Sequence, residues 1–234
     1  MKLSVRLQKI VEIIPACPVI ADIGTDHGYV PCELLLQGKV QRAIAADINQ
    51  KPLDKAKRTA QGQGCIDRMD FRLGSGLAVL SPGEVQGAVL AGMGGELIKD
   101  LLANSPEVVQ ALDFLVLQPA QNPEVLRKYL YSGDYRILSE DLVRESDGRF
   151  YEYFLVSPQP DLSLCDLTDF DHLISPVLKA EHHPLLPEFL RAKMEEISQI
   201  QSKLNLSYPS SQKKFEELND QKNRYEEVLI WLSN

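Results

Sequence analysis

The sequence lacks several features that would place it at once. Its four cysteines, Cys17, Cys32, Cys65 and Cys165, are scattered without a Cys-x-x-Cys pair, so neither a zinc site nor a disulfide framework is expected. They read as reduced core residues. No apolar run approaches the roughly 20 residues a helix needs to cross a bilayer, and Met1-Lys2-Leu3-Ser4 opens an amphipathic pattern unlike a signal peptide. The expectation is a cytoplasmic protein with no membrane association. Basic charge is short as well: 25 Lys and Arg against 33 Asp and Glu leave a net charge of −8. That excludes a basic nucleic-acid coat but leaves room for a local positive patch. Also missing are the Gly-x-Gly-x-x-Gly of dinucleotide binders and the Gly-Lys-Ser/Thr ending of a P-loop, which disfavours dinucleotides and nucleoside triphosphates as ligands.

What is present is an ordinary globular composition. With 234 residues and 44% hydrophobic content, the chain can bury a core for one main domain plus an appendage. The organising stretch is Val19 to Pro31. Val19–Ile23 is a short apolar run suited to a parallel strand covered on both faces. Gly24 and Gly28 follow in an Asp-x-Gly-x-x-x-Gly spacing that allows positive φ or close approach of a ligand. Pro31 fits the first turn of a helix. A strand, glycine loop and helix of this kind holds nucleotide-like cofactors at the carboxyl edge of an open α/β sheet. An acidic strand end without phosphate-binding glycines suits S-adenosylmethionine, which carries an amino-acid head and a ribose. A tight turn with no ligand is the alternative.

Further along, residues 3–14 carry Leu3, Leu7, Ile10, Val11 and Ile14 at helical spacing, with Lys2, Arg6 and Lys9 on other faces. Those three cations are either solvated surface charges or part of an RNA contact. Arg42–Ile48 reads as a second strand ending in Asp47, about the distance from the first glycine at which a carboxylate grips ribose hydroxyls; a helix-capping role is the other reading. Met69–Leu73 and Gln86–Ala91 read as the third and fourth strands, followed by the loops Gly74-Ser75-Gly76 and Gly92-Met93-Gly94-Gly95. Three successive junctions with small residues point to one continuous crevice. Asp113–Leu117 is a fifth strand and Pro123–Tyr131 a helix. Tyr135–Val143 and Phe150–Val156, joined across an Asp-Gly turn, form an antiparallel pair. From Pro158 prolines break the chain. Two helical patterns follow, Leu190-Met194-Ile197-Gln201-Leu204 and Phe215-Leu218-Lys222-Tyr225-Leu229, joined by a turn at 205–211. His172, His182 and His183 read as surface residues at the helix entry rather than metal ligands.

The block Asp22-Ile23-Gly24-Thr25-Asp26-His27-Gly28-Tyr29-Val30-Pro31, with Ala91-Gly92-Met93-Gly94-Gly95 and Leu117-Gln118-Pro119, closely resembles the bacterial tRNA adenine-22 N1-methyltransferase (TrmK-like) family over nearly the whole chain. The resemblance implies a Rossmann-like α/β fold: a seven-stranded class I methyltransferase sheet whose last strands form an antiparallel hairpin, over residues 1–157. A C-terminal helical hairpin or coiled-coil extension would occupy residues 158–234. It implies S-adenosylmethionine as cofactor and tRNA as partner, no metal, and a homodimer contact through the C-terminal helices as an option. Asp22, Gly24, Thr25, Asp26, His27 and Gly28 would line the cofactor's methionine side, with Asp47 and Ile48 at the ribose. Gly74 and Ser75 would lie at the adenine, and Ala91, Gly92 and Met93 at the transfer site. Ser75 stands where many class I methyltransferases have Asp, so a hydroxyl or backbone group would replace that carboxylate.

Methyl transfer needs alignment more than covalent catalysis. Asp26, Tyr29 and Gly92 are the expected catalytic residues: Tyr29 to stack on a base flipped out of the RNA, and Asp26 with carbonyls near Gly92 to stabilise positive charge on the methylated ring. Lys2, Arg6, Lys9, Arg127 and Lys128 are the expected RNA contacts. A small-molecule methyltransferase and a non-catalytic RNA-binding protein with a vestigial pocket remain as alternatives.

Overall fold

The computed structural model describes residues 2–132, 135–159 and 170–233; Cys165 lies outside them. The chain divides into two compact units, Met1–Leu173 and Ile174–Asn234.

The first unit is an open sheet with helices on both faces. Its elements run α1 (Val5–Ile13), β1 (Cys17–Ile23), α2 (Tyr29–Leu36), β2 (Val40–Asp47), α3 (Gln50–Gly62), β3 (Met69–Leu73), β4 (Gly87–Gly94), α4 (Gly95–Ala103), α5 (Pro106–Gln110), β5 (Phe114–Gln121), α6 (Pro123–Ser132), β6 (Arg136–Arg144) and β7 (Phe150–Ser157). Seven strands among the described residues stand in the order β3-β2-β1-β4-β5-β7-β6. All pairings are parallel except those of β7 with β5 and β6. The central strands β1, β4 and β5 carry buried, mainly apolar runs because both faces are covered, and successive residues go to opposite layers. Ala21, Ile23, Ala88, Leu90, Leu115 and Leu117 enter one core cluster, while Ile20, Val89, Phe114 and Val116 enter the other.

Local chemistry fixes the ends of α1 and of β4. Helix α1 is capped at its start by Ser4, whose hydroxyl accepts from the Leu7 N–H. At its end Lys39 Nζ donates to the carbonyls of Val11, Glu12 and Ile14 at 2.7, 3.0 and 3.1 Å, so a cation satisfies the acceptors a helix end leaves open. The expected Gly92–Gly95 loop is instead partly strand: β4 runs on to Gly94 through two register shifts against β5, at Ala91/Met93 and Met93/Gly94. Gly92, at φ +78°, sits in that irregularity, as bulges beside functional edges do.

The second unit contains α7 (Pro176–Ala180), α8 (Leu186–Gln201) and α9 (Pro209–Leu232). Helix α9 begins at Pro209, inside the stretch expected to be a turn, because proline at the first helical position costs no hydrogen bond. Helices α8 and α9 pack as a hairpin. Its contacts include Lys222 Nζ to Ser198 Oγ at 3.0 Å and Gln201 Nε2 to the Phe215 carbonyl at 3.3 Å, so polar groups share the seam with Ile197, Leu218 and Tyr225. His182 packs its ring on Trp231 at 4.6 Å. His172, in the first unit, is buried rather than on the surface. No cluster of three metal-ligating side chains occurs among the described residues.

Candidate active site

The strand order reverses between β1 and β4: the chain builds outward through β2 and β3, then returns to place β4 on the other side of β1. Loops leaving the carboxyl ends of these two neighbours must diverge, and a crevice opens between them. A cavity of about 340 Å³ lies there. Its floor and near wall come from Asp22, Gly24, Thr25 and Gly28 of the β1–α2 junction, and its far wall from Ala91 and Gly92 at the end of β4. Asp26, His27 and Tyr29 rim it, with Arg6 and Leu7 of α1.

The β1–α2 loop is held by backbone bonds. The N–H groups of Gly24 and Thr25 both donate to the Ala46 carbonyl of β2, at 2.8 and 3.0 Å. Gly28, at φ +67°, forms the left-handed start of α2, and its N–H donates to Thr25 Oγ1 at 3.2 Å. A Cβ on Gly28 would stand 3.0 Å from that of Ala56. Only glycine combines this dihedral with this approach. Gly24, at φ +78°, is likewise restricted, with the Met93 methyl lying where its Cβ would be. Met93 therefore packs on the loop rather than lining the cavity.

Asp22 is the buried carboxylate of the site, 8% exposed. Burial pushes its pKa up to about 6, against a lowering hydrogen bond from Thr25 and with a further rise from the Asp47 charge. A buried carboxylate carrying this penalty fits a cationic group brought by a ligand. Asp47 ends β2, and its Oδ1 accepts the Asn49 N–H at 2.7 Å. The Gly74 N–H donates to the Asp47 carbonyl at 3.0 Å, tying the loop after β3 to the same edge. Ile48, 66% exposed, and Leu73, 57% exposed, leave an apolar surface beside Asp47 at the ends of β2 and β3. Buried anion, second strand-end acid and exposed apolar edge match the ammonium, ribose and adenine of S-adenosylmethionine in kind.

Several expected roles change. Asp26 lies at the rim with its side chain 63% exposed, and its carboxylate is shared by Lys55 Nζ at 2.8 Å and His27 Nε2 at 3.1 Å. The His27 ring stacks on Tyr29 at 4.9 Å, which occupies one face of the tyrosine. Arg6, expected on an RNA-facing surface, instead turns into the site, where its Nη1 donates to Gln118 Oε1 at 2.7 Å. Lys9 is drawn to Asp141 at 2.5 Å. Arg127 is corrected outright: it is fully buried and cannot touch RNA. Its Nε donates to Glu140 Oε2 at 2.9 Å and its Nη1 to the His172 carbonyl at 2.8 Å, while Nη2 pairs with Glu152. Lys2 and Lys128 are exposed.

Lys55 went unremarked in the sequence, Gln118 entered only within the Leu117-Gln118-Pro119 motif, and the β6–β7 turn only as a hairpin signal rather than as part of the site. One signal could have found the turn. A strand antiparallel to β5 brings the turn that precedes it to the carboxyl edge of the sheet, where the cofactor loops are. Register confirms this, with Leu117 opposite Phe154 and Leu115 opposite Val156.

A doubly wound sheet with a phosphate-free cofactor crevice at the β1/β4 switch defines a class I methyltransferase. Residues 3–154 match the methyltransferase-domain family. The chain is 34% identical over 204 residues, 86% of its length and 84% of the relative's, to the Bacillus subtilis tRNA (adenine(22)-N(1))-methyltransferase. It therefore belongs to the tRNA (adenine(22)-N(1))-methyltransferase family. Solved structures agree: the B. subtilis m1A22 tRNA methyltransferase TrmK superposes with a TM-score of 0.80 at 30% identity, covering 97% of this chain and 99% of that one. A Streptococcus pneumoniae protein crystallised with S-adenosyl-L-methionine superposes with a TM-score of 0.84 at 27% identity, covering 97% and 100%.

Proposed function

We propose that this chain transfers a methyl group from S-adenosylmethionine to N1 of adenine 22 in tRNA. The observation that carries this reading is the β1/β4 crevice, lined by Asp22, Gly24, Gly28 and Gly92, in a chain of this family. In this reading Asp22 meets the ammonium of the cofactor, Asp47 the ribose hydroxyls, and Ile48 with the Gly74-Ser75 backbone the adenine. Thr25, Asp26, His27 and Gly28 keep the loop in shape, and Ala91 and Gly92 lie at the transfer point.

The bound cofactor supplies a methyl group already made electrophilic by its sulfonium. Adenine N1 carries a free lone pair and no proton, so the protein needs no general base. Its residues have three tasks: hold the donor, deliver a base pulled out of the RNA fold, and favour the positive charge that appears on the methylated ring. Asp26 suits the third task less than its position in sequence suggests, since Lys55 already balances it.

Residues 1–157 carry this chemistry, and the helices α7 to α9 within residues 158–234 supply an extension for a further RNA contact or a homodimer. Leu206, Tyr208 and Trp231 are exposed there, and sedimentation of the free protein separates the two roles. No helix among the described residues is long and apolar enough to cross a membrane, and the activity proposed belongs in the cytoplasm with its tRNA. Incubation with labelled S-adenosylmethionine and total tRNA, followed by nucleoside analysis, tests the reading. N1-methyladenosine at one position is expected. N6-methyladenosine would overturn the chemistry, and transfer to a metabolite but not to tRNA would overturn the substrate.

A further inference from the structure

A second chamber, of about 460 Å³, adjoins the cofactor crevice and shares two of its walls, Arg6 and Gly92. Its other walls come from the turn between β6 and β7, from Tyr151 on β7, and from Ser4 and Ala120. We infer that this chamber receives the acceptor adenine, with Tyr151 as its stacking platform, Arg6 as its inner wall and Gly92 as the opening through which base and cofactor meet. The inference rests on the methyl-transfer reading above and names the site of its second substrate.

Position is the first argument. Gly92 has no side chain, bulges out of β4 at φ +78° and is exposed. A Cβ there would meet only Arg6 Nη1, at 3.4 Å. The two chambers thus join at a point kept free of side chains, as two reactants that must touch require. The volume falls in the range of small-molecule pockets, and the exposed Ser4, Ala120 and Asp147 leave the outer end open to a nucleotide still attached to its RNA.

Chemistry is the second argument. The Tyr151 ring has the Arg6 guanidinium at 5.6 Å and the Arg149 guanidinium at 5.8 Å from its centre. Arg6 is fixed: its backbone N–H donates to Glu145 Oε1 at 2.7 Å, its carbonyl accepts from Tyr153 Oη at 3.1 Å, and Nη1 is held by the fully buried Gln118. Arg149 is 71% exposed and can move aside or itself cover a base. Aromatic rings and guanidinium planes are the usual platforms for bases splayed from RNA. Two carboxylates face the same space. Glu145 is held below the usual carboxylate range first by the Arg6 N–H, and Asp147 first by its hydrogen bond with Arg149. Both remain anionic where a neutral base becomes a cation. Tyr29 stacks one face on His27 and does not line this chamber.

Two full-length variants test this, Tyr151→Ala and Ala120→Trp, the second filling the chamber from its open end. Cofactor affinity by calorimetry and the melting temperature report on the fold and the cofactor half. Single-turnover methylation of tRNA reports on the acceptor. Tyr151→Ala should slow methylation about 5- to 160-fold, the range for losing one stacked base, and Ala120→Trp should slow it at least as much, both with cofactor affinity held. Tyr151→Phe should recover most of the rate lost in Tyr151→Ala. Wild-type rates in both variants, or losses that track cofactor affinity, would overturn the inference. An arm without turnover separates it from the activity itself. Adenosine monophosphate added to protein loaded with S-adenosylhomocysteine should give saturation-transfer NMR signals that Tyr151→Ala removes. Protein that methylates no tRNA counts against the activity, whereas nucleotide signals equal in wild type and Tyr151→Ala count against the chamber.

Discussion

Arg6 Nη1 donates to Gln118 Oε1 at 2.7 Å across 112 residues of sequence, and Gln118 in turn donates from Nε2 to the Pro119 carbonyl at 2.8 Å. That relay fixes Arg6, a cation that both chambers share, to β5. Gln118 is fully buried, so the bond is shielded from water and the guanidinium has a set direction.

Gln118→Ala should therefore act through Arg6. Hydrogen bonds to a charged group contribute about 1.5–3 kcal/mol, so kcat/KM for tRNA should fall roughly 10- to 100-fold in Arg6→Lys, which keeps charge but not the forked geometry. Gln118→Ala should reproduce part of that loss, and the double variant should be no worse than Arg6→Lys alone. Additive losses, measured as kcat/KM in a double-mutant cycle, would show that the two side chains act independently.

Asp22 sets a stability cost against the binding role proposed for it. Its pKa is raised by burial from 3.8 to about 6. The folded state thus holds this proton more tightly than the unfolded chain does. Its contribution to stability is fully present below about pH 3.8 and is lost as pH rises through about 6. At roughly 1.4 kcal/mol per pH unit the carboxylate should cost the cofactor-free protein on the order of 3 kcal/mol at pH 8. Asp22→Asn should be more stable than wild type at pH 8, with the advantage gone by about pH 4 in urea titrations. The same substitution should weaken S-adenosylmethionine binding at pH 8. In wild type the affinity should fall by up to tenfold per pH unit below about pH 6, and in Asp22→Asn that dependence should vanish from the calorimetric titration.

Arg127 is a packing cation for the β6–β7 hairpin. One guanidinium faces two carboxylates and a backbone carbonyl in the interior, with the Phe154 ring 5.0 Å from its carbon. Burial works against its charge, but Glu140 and Glu152 overcome this and hold it protonated. Tyr131 Oη donates to the remaining oxygen of Glu140 at 2.6 Å. Removing the cation leaves two buried anions facing each other. Arg127→Ala should cost about 3–5 kcal/mol in chemical denaturation. The salt slope of tRNA affinity should stay at the wild-type value at a temperature where the variant remains folded.

These residues show where sequence is informative. The β1 strand, its glycine loop and Asp47 are legible because local rules suffice: an apolar run bounded by proline and glycine, then an acid at the end of the next strand. The antiparallel hairpin is legible from Asp147-Gly148, whose Gly148 adopts φ +88°. Arg127 is not, because a helix pattern places it beside Leu126 and Leu130 without saying that Glu140 and Glu152, 13 and 25 residues on, will come to meet it. Arg6 fails for the same reason. On an isolated α1 it is a solvent-facing cation, and only the return of β5 and β7 to the crevice edge makes it an inner wall. Local charge patterning finds surfaces; long-range register decides which of them are buried.

The Asp26–Lys55 pair offers a last test of that distinction, because two roles for Asp26 predict opposite responses to losing its partner. If Asp26 supplied negative charge to the methylated base, removing Lys55 would leave that charge unbalanced and the rate would hold or rise. The geometry favours the other role. Lys55 Nζ reaches from α3 to Asp26 Oδ1 at 2.8 Å and lies 3.4 Å from His27 Nε2, so the pair ties the β1–α2 loop to the neighbouring helix. Lys55→Ala and Asp26→Ala should then lower cofactor affinity by similar, modest factors, since an exposed ion pair contributes only about 0.2–1 kcal/mol. The double variant should match either single one. A Lys55→Ala enzyme that binds cofactor normally and turns over faster than wild type would return Asp26 to the catalytic step.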